Sequence, residues 1–302
     1  MYLGIEIGGT KLQLGIGPGD GTLAALWRGP VTPAEGADGI RKQITQAVPE
    51  LLANAKRRRE DLRGVGIGFG GPVDDRTRTV IKSHQIAGWD DFPLADWISE
   101  LVGLPAVLGN DADVAGLAEA LFGAGKGYSP VFYITIGSGI GGGLIIDGEI
   151  YRGIGRGAAE IGHLRVQGIR GEPTIVEHVA SGWGMQQVFA ELNGVLEPPP
   201  ATEIAQRASL GDVAAREVVD FAINRLAEGI CHVIALLCPR RIVIGGGVAL
   251  MGEKALFEPL RKAVAARVFK PFAGCYEIVP AVLGEEMVVH GALALACKRF
   301  GG

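Results

Sequence analysis

The chain opens on "YLGIEIGGTKLQLGIG", Tyr2 to Gly17, in which apolar residues alternate, break on glycines, and alternate again. That is the pattern of a β-hairpin with a glycine tip. The same form returns in "VFYITIGSGIGGGLII", Val131 to Ile146. Glu6-Ile7-Gly8-Gly9-Thr10 superposes on Thr135-Ile136-Gly137-Ser138-Gly139, a shift of 129 residues from position 6 to position 135. No other feature constrains the fold as strongly, because each half of the chain has to build a domain around its own hairpin.

The correspondence continues beyond the hairpins. "VGIGFGG" and "RIVIGGG" are strands that end in glycines, each after a helical segment. "PAVLGNDADVAGLAEAL" runs strand, turn and helix, and the last residues of the chain do likewise. Both halves therefore read hairpin, helix, strand, helix, strand, helix. The expected fold class is α/β, with duplicated domains, mixed sheets and an interdomain cleft for the ligand. A length of 302 residues suits two domains at roughly 150 residues each.

Composition excludes several classes of function. A net charge of −4 leaves no electrostatic footprint for nucleic acid. The basic run Lys56-Arg57-Arg58-Arg59 follows an amphipathic helical stretch (Ile40, Ile44, Val48, Leu51, Leu52) and reads as its solvated end. No apolar run approaches the roughly 20 residues of a membrane span, and no secretory pattern opens the chain. Cys231, Cys238, Cys275 and Cys297 lack CxxC spacing and lie in apolar surroundings, which predicts buried free thiols in a reducing, cytoplasmic setting. Glycine, at 48 residues, is about twice its average share of roughly 7%, and is expected to serve tight turns and close ligand approach.

Three groups of residues carry chemistry. Glycines at a hairpin tip let backbone N–H groups converge on phosphate oxygens, with hydroxyls added by Thr10 and Ser138. Gly8-Gly9-Thr10-Lys11 leads into a strand, so it is not a Walker A loop. Gly245-Gly246-Gly247 leaves a strand and is expected to open a helix suited to nucleotide contact. Asn110 and Asp111 stand where a strand ends and a helix begins. By position they are a helix N-cap; a carboxylate there that faced the cleft would accept a proton from an attacking hydroxyl. Finally, "AAEIGHLRVQGIRGEPTIVEHVASG" holds Glu160, His163, Glu177 and His178. Read alone, these suit metal ligands, hydrogen-bonding groups for a polyhydroxylated ligand, or a polar surface.

In order along the chain, Glu6 to Lys11, "VGIGFGGPVD", "IAGWDD", Gly109 to Asp113, "TIGSGIGGGLIIDGEIYRG", "AAEIGH" and "IVIGGGV" closely resemble the motifs of the ROK family of sugar kinases and regulators. The resemblance implies the actin-like/ribonuclease-H-like fold, with one domain over 1–121, a second over 122–285, and a helix at about 286–302 that packs back on the first. It also implies ATP-dependent phosphorylation of a hexose hydroxyl, usually on carbon 6, in a cytoplasmic homodimer. By the same resemblance Asp111 is the catalytic base. Gly71, Asn110, Glu160, His163 and Glu177 bind the sugar. Gly8, Gly9, Thr10, Lys11, Thr135, Gly137 and Gly139 hold the phosphates of ATP, and Gly245 and Gly246 the adenosine.

Two departures from the family pattern stand out. Most ROK kinases carry Asp where this chain has Glu6, the residue that helps hold Mg²⁺, often through water. Many also carry cysteines between the equivalents of His163 and Glu177, binding a structural zinc with that histidine. Here the interval "LRVQGIRGEPTIV" has none, so no structural zinc site is expected. Zinc-free relatives include polyphosphate-using glucokinases, which "NDADVAGLAE" resembles. The resemblance also covers transcriptional repressors with an N-terminal helix-turn-helix domain; this chain starts at the first hairpin strand, and direct DNA binding is not expected.

Overall fold

The computed structural model describes residues 1–83 and 85–302. Among them, the first part of the chain forms β1 (Tyr2–Ile7), β2 (Lys11–Gly17), β3 (Ala25–Pro30), α1 (Gly36–Asn54), β4 (Val65–Phe69), β5 (Val73–Asp74), β6 (Thr79–Val80), α2 (Leu94–Val102), β7 (Ala106–Asn110) and α3 (Asp111–Phe122). Then follow β8 (Val131–Ile136), β9 (Ile140–Ile146), β10 (Glu149–Ile150), β11 (Arg165–Gln167), β12 (Pro173–Ile175), α4 (Val176–Ala180), α5 (Gly182–Asn193), α6 (Ala201–Ser209) and α7 (Val213–Leu237). The chain ends with β13 (Arg241–Gly245), α8 (Glu258–Ala265), β14 (Glu277–Pro280) and α9 (Met287–Phe300).

The chain divides into two compact units. Unit 1 is Met1–Gly127 with Gly143–Ala158 and Val282–Gly302; unit 2 is Tyr128–Gly142 with Ala159–Ala281. The sheet of unit 1 has the order β3-β2-β1-β4-β7, antiparallel through the hairpin strands and parallel from β1 to β4 and β7. The second sheet repeats that order as β10-β9-β8-β13-β14, and β13 runs parallel to both β8 and β14. Both halves thus place the first hairpin strand at the centre, and the fold is α/β with two mixed sheets. The halves differ in their helices. One helix, α1, follows the first hairpin, whereas α4 to α7 separate the second from β13. Among the described residues, no helix is long and apolar enough to cross a membrane.

Every residue of β1 is buried, so it lacks the in–out alternation of a half-exposed strand. One face packs on α1 through Ile40, Ile44 and Leu51, and α9 lies on the sheet through Val289 and Leu293. Glycine makes that second contact possible. A Cβ on Gly66 would lie 1.8 Å from the Ala292 carbonyl oxygen, and one on Gly291 would lie 1.9 Å from that of Val114. Part of the glycine excess therefore serves backbone-to-backbone packing of α9 on β4 and α3, beyond the turns and ligand contacts that composition suggested.

Two details hold α3 in place. Asn110 caps its N-terminus, as the residue type favours. At the other end the fully buried Glu119 accepts N–H bonds from Ala124 (2.7 Å) and from Val282 and Leu283 (2.9 Å each), tying the helix to the segment that leads into α9. The cysteines differ from expectation: Cys275 is exposed and Cys231, Cys238 and Cys297 are half-buried, with no disulfide among the described residues.

Alanine at Gly66 has to displace backbone rather than a side chain. We expect Gly66→Ala to destabilise the protein by about 3 kcal/mol, measured by denaturant unfolding. Gly137→Ala, where an added Cβ meets no atom within 4 Å, should change stability by less than about 0.5 kcal/mol.

Candidate functional site

In unit 1 the chemistry gathers at the ends of β1, β4 and β7. Asn110 leaves β7 in an extended conformation, and its Oδ1 accepts from the N–H groups of Ala112 (2.9 Å) and Asp113 (3.4 Å). Its Nδ2 donates to the Gly71 carbonyl at 2.9 Å. The cap reading therefore holds, and one amide also ties α3 to the Gly70-Gly71 turn after β4. Next to it, Asp111 Oδ1 accepts from the Ala112 N–H at 2.8 Å. Its Oδ2 borders Gly70, where an added Cβ would approach it to 3.4 Å. The turn is braced further on, where Asp74 accepts from the N–H groups of Arg76 and Thr77 and from Arg156 Nε at 3.1 Å.

Glu6, the last but one residue of β1, is 6% exposed. Gln13 Nε2 donates to its Oε2 at 2.7 Å, and Lys11 Nζ lies 3.4 Å from Oε1. Burial raises its pKa from 4.5 to about 7; Lys11 and Gln13 oppose the rise and the nearby charge of Asp111 adds to it. A carboxylate that burial makes hard to ionise costs the fold stability, which makes Glu6 a candidate functional group. At the hairpin tip the Gln85 side chain lies against Gly9: a Cβ there would fall 1.5 Å from Gln85 Oε1, and that side chain would have to move. Thr10 is exposed, and Lys11 also donates to the Glu285 carbonyl at 3.0 Å.

In unit 2 the second hairpin tip turns its carbonyls inward. Those of Gly139, Gly137 and Ser138 accept from the N–H groups of Gly137 (2.9 Å), Gly182 (2.8 Å) and Trp183 (3.3 Å), the last two at the start of α5. Glu177 Oε2 accepts from the Ile140 N–H at 2.7 Å and stands against Gly139, where an added Cβ would approach it to 2.6 Å. Gly137 has neither a positive φ nor a neighbouring atom that demands glycine. Thr135 precedes this tip in β8. Gly245 and Gly246 are glycine for internal reasons: their added Cβ atoms would lie 2.6 Å from the Tyr133 hydroxyl and 2.5 Å from the Ile136 carbonyl. The expected helix does not open directly there. A 3₁₀ turn, Gly247–Met251, comes first, and α8 begins only at Glu258.

Glu160, His163 and Glu177 come together in unit 2. His163 Nδ1 lies 3.8 Å from Glu160 Oε2, and both side chains are more than half exposed. Partial desolvation raises the Glu160 pKa; His163 counters this and the negative charge of Glu177 reinforces it. The cysteine-free interval folds as the β11–β12 hairpin, closed by Gly168 N–H to the Glu172 carbonyl at 2.8 Å and continued by Val176 N–H to that of Leu164 at 3.1 Å. Val176 and Ile161, both buried, seat this hairpin on α7 at Gly229. His178 is exposed on α4. No group of three or more His, Cys, Asp or Glu side chains is arranged as metal ligands among the described residues.

Sequence reasoning missed Gln13 and Gln85, which contact Glu6 and Gly9. Gln13 occupies an inward position of β2, and a buried amide in an apolar strand was the available signal. A cavity of about 530 Å³ in unit 1 lies away from Asp111, beside the first residues of β7 and the end of α9.

The sequence pattern that defines the ROK family matches residues 2–299. A glucokinase of Halalkalibacterium halodurans is 31% identical, over 96% of this chain and 93% of its own length. An N-acetylmannosamine kinase of Escherichia coli is 30% identical, over 96% and 98%. Among solved structures, the ROK hexokinase of Thermus thermophilus superposes with a TM-score of 0.84 at 27% identity, covering 99% of this chain and 98% of that one. A ROK glucokinase of Streptomyces griseus, solved with glucose and AMPPNP, gives 0.76 at 30% identity, covering 98% and 99%. The chain belongs to the ROK family, and its fold is the actin-like, ribonuclease-H-like fold of that family's sugar kinases.

The raised pKa of Glu6 gives a stability signature. A carboxyl whose pKa rises on folding favours the folded state most below pH 4.5 and loses that contribution as pH climbs through about 7. In ligand-free protein, Glu6→Gln should gain stability over the parent by up to about 3 kcal/mol between pH 4.5 and 8. Urea unfolding at several pH values measures it; a difference that stays flat contradicts the assignment.

Proposed function

We propose that the protein is an ATP-dependent hexose kinase that phosphorylates a sugar hydroxyl, with the C6 hydroxyl of glucose as its acceptor. The observation that carries this is Asp111, fixed at the β7–α3 junction by Asn110 and set beside Glu6 and the Gly70-Gly71 turn. The Streptomyces griseus complex with glucose and AMPPNP supports ATP as the donor and glucose as the acceptor.

In this reading Glu160, His163 and Glu177 read the ring hydroxyls, since carboxylates accept and an imidazole both donates and accepts. Asn110 and Gly71 hold the sugar close to Asp111. Asp111 takes the proton from the attacking hydroxyl as the oxygen bonds to the γ-phosphorus and the bond from that phosphorus to the β,γ-bridging oxygen breaks, releasing ADP. Gly8, Gly9, Thr10 and Lys11 from one hairpin and Thr135, Gly137 and Gly139 from the other orient the phosphates. Gly245 and Gly246 border the adenosine. Positioning and charge compensation supply most of the rate in such a transfer. Mg²⁺, when bound, would neutralise phosphate charge. Glu6 is the residue to hold it, because a desolvated carboxylate crowded by Asp111 gains from a cation.

A coupled assay over glucose, mannose, fructose and N-acetylmannosamine, with ATP and polyphosphate as donors, tests the reading. Glucose with ATP should turn over fastest. Asp111→Asn should lower kcat by roughly 10²- to 10⁴-fold with an unchanged melting temperature. Near-parental turnover in that variant would remove Asp111 from the role of base.

A further inference from the structure

Glu6 does not stand alone in its sheet. It lies opposite Gln13 in the β1–β2 register, and Gln13 lies opposite Arg28 in the β2–β3 register. The three side chains form one hydrogen-bonded row across three adjacent strands. Gln13 is 1% exposed and has no spare donor. Its Nε2 gives one hydrogen to Glu6 Oε2 at 2.7 Å and the other to the Glu285 carbonyl at 2.9 Å. Its Oε1 accepts from Arg28 Nε at 2.8 Å, and Arg28 continues to the Glu286 carboxylate.

The two ends of an amide are nearly the same size, so its orientation is decided by its neighbours. Arg28 can only donate, which selects Oε1 for its side and leaves Nε2 to Glu6. Flipped, the amide would set an oxygen against the Glu6 carboxyl and the Glu285 carbonyl and an NH₂ against a guanidinium, three unfavourable pairs in a buried place. The other charged groups near Glu6 are Lys11, whose Nζ lies 3.4 Å from Oε1, and Asp111. Glu6 also has one more rotatable bond than an aspartate would have, and the row removes that freedom.

We propose that Gln13 and Arg28 are positioning residues for the Glu6 carboxylate: Arg28 fixes the Gln13 amide, and the amide fixes Glu6 Oε2 and leaves Oε1 to Lys11. This deepens the kinase reading above and rests on the part that reading gives to Glu6. Arg28 touches no candidate substrate group. It acts on Glu6 from two strands away.

Two measurements test it. In ligand-free protein the Gln13 side-chain NH₂ pair, bonded at both hydrogens, should exchange slowly with solvent by NMR. Arg28→Ala, at a half-exposed position, should speed that exchange at least about tenfold, and Arg28→Lys, still a donor to Oε1, should restore it. In the enzyme, Arg28→Ala should lower kcat about tenfold with the sugar KM unchanged, and the loss should vanish in a Glu6→Gln background. Unchanged exchange in Arg28→Ala, or an equal loss of kcat in both backgrounds, overturns the proposal. If Glu6→Gln alone leaves kcat at the parental value, the role of Glu6 in the kinase reading fails, and the exchange measurement still decides the proposal.

Discussion

The arrangement of unit 1 depends on one carboxylate kept out of water. Glu6 is the last but one residue of a strand that is buried along its whole length, and the desolvation that burial imposes opposes its ionisation. Partial relief comes from short, directed contacts: the Gln13 amide, the Lys11 ammonium, and the turn before α9, whose Glu285 carbonyl anchors both donors. The turn can serve only because α9 lies close against the sheet, which the glycines at 66 and 291 permit. Packing, polar satisfaction and the acidity of the site are thus one problem in this unit.

Unit 2 solves a different problem, which is to hold three polar groups at a surface without burying them. Glu177 is fixed by a backbone bond to the second hairpin, and Glu160 and His163 by a short turn whose Ala159 has a positive φ of 63°. A non-glycine residue there stores on the order of 1–3 kcal/mol of strain. Hydrogen bonds across a short hairpin and the seating of Ile161 and Val176 on Gly229 order the cysteine-free interval.

Much of this was legible in the sequence for a physical reason. Period-2 alternation broken by glycine is a strong local signal, and its recurrence 129 residues on pointed to the repeated strand order that both sheets adopt. Asn110 was legible as a cap because helix capping restricts residue type. The fully buried Glu119 was not, since "AEAL" reads as any helix, and its partners Val282 and Leu283 lie more than 160 residues away. Gln13 and Arg28 stayed hidden for a related reason: cross-strand register is set by pairing, which a single sequence does not display. The cysteines misled because apolar neighbours in sequence do not ensure burial in space.

The most direct measurement is the position of a bound hexose. A crystal structure of the protein with glucose and a non-hydrolysable ATP analogue should show ring hydroxyls within about 3.2 Å of Glu160, His163 and Glu177. One further hydroxyl should donate to Asp111. A hexose that contacts neither Asp111 nor the Glu160–His163–Glu177 group, or a metal ion held by that group in place of a sugar, would contradict the account.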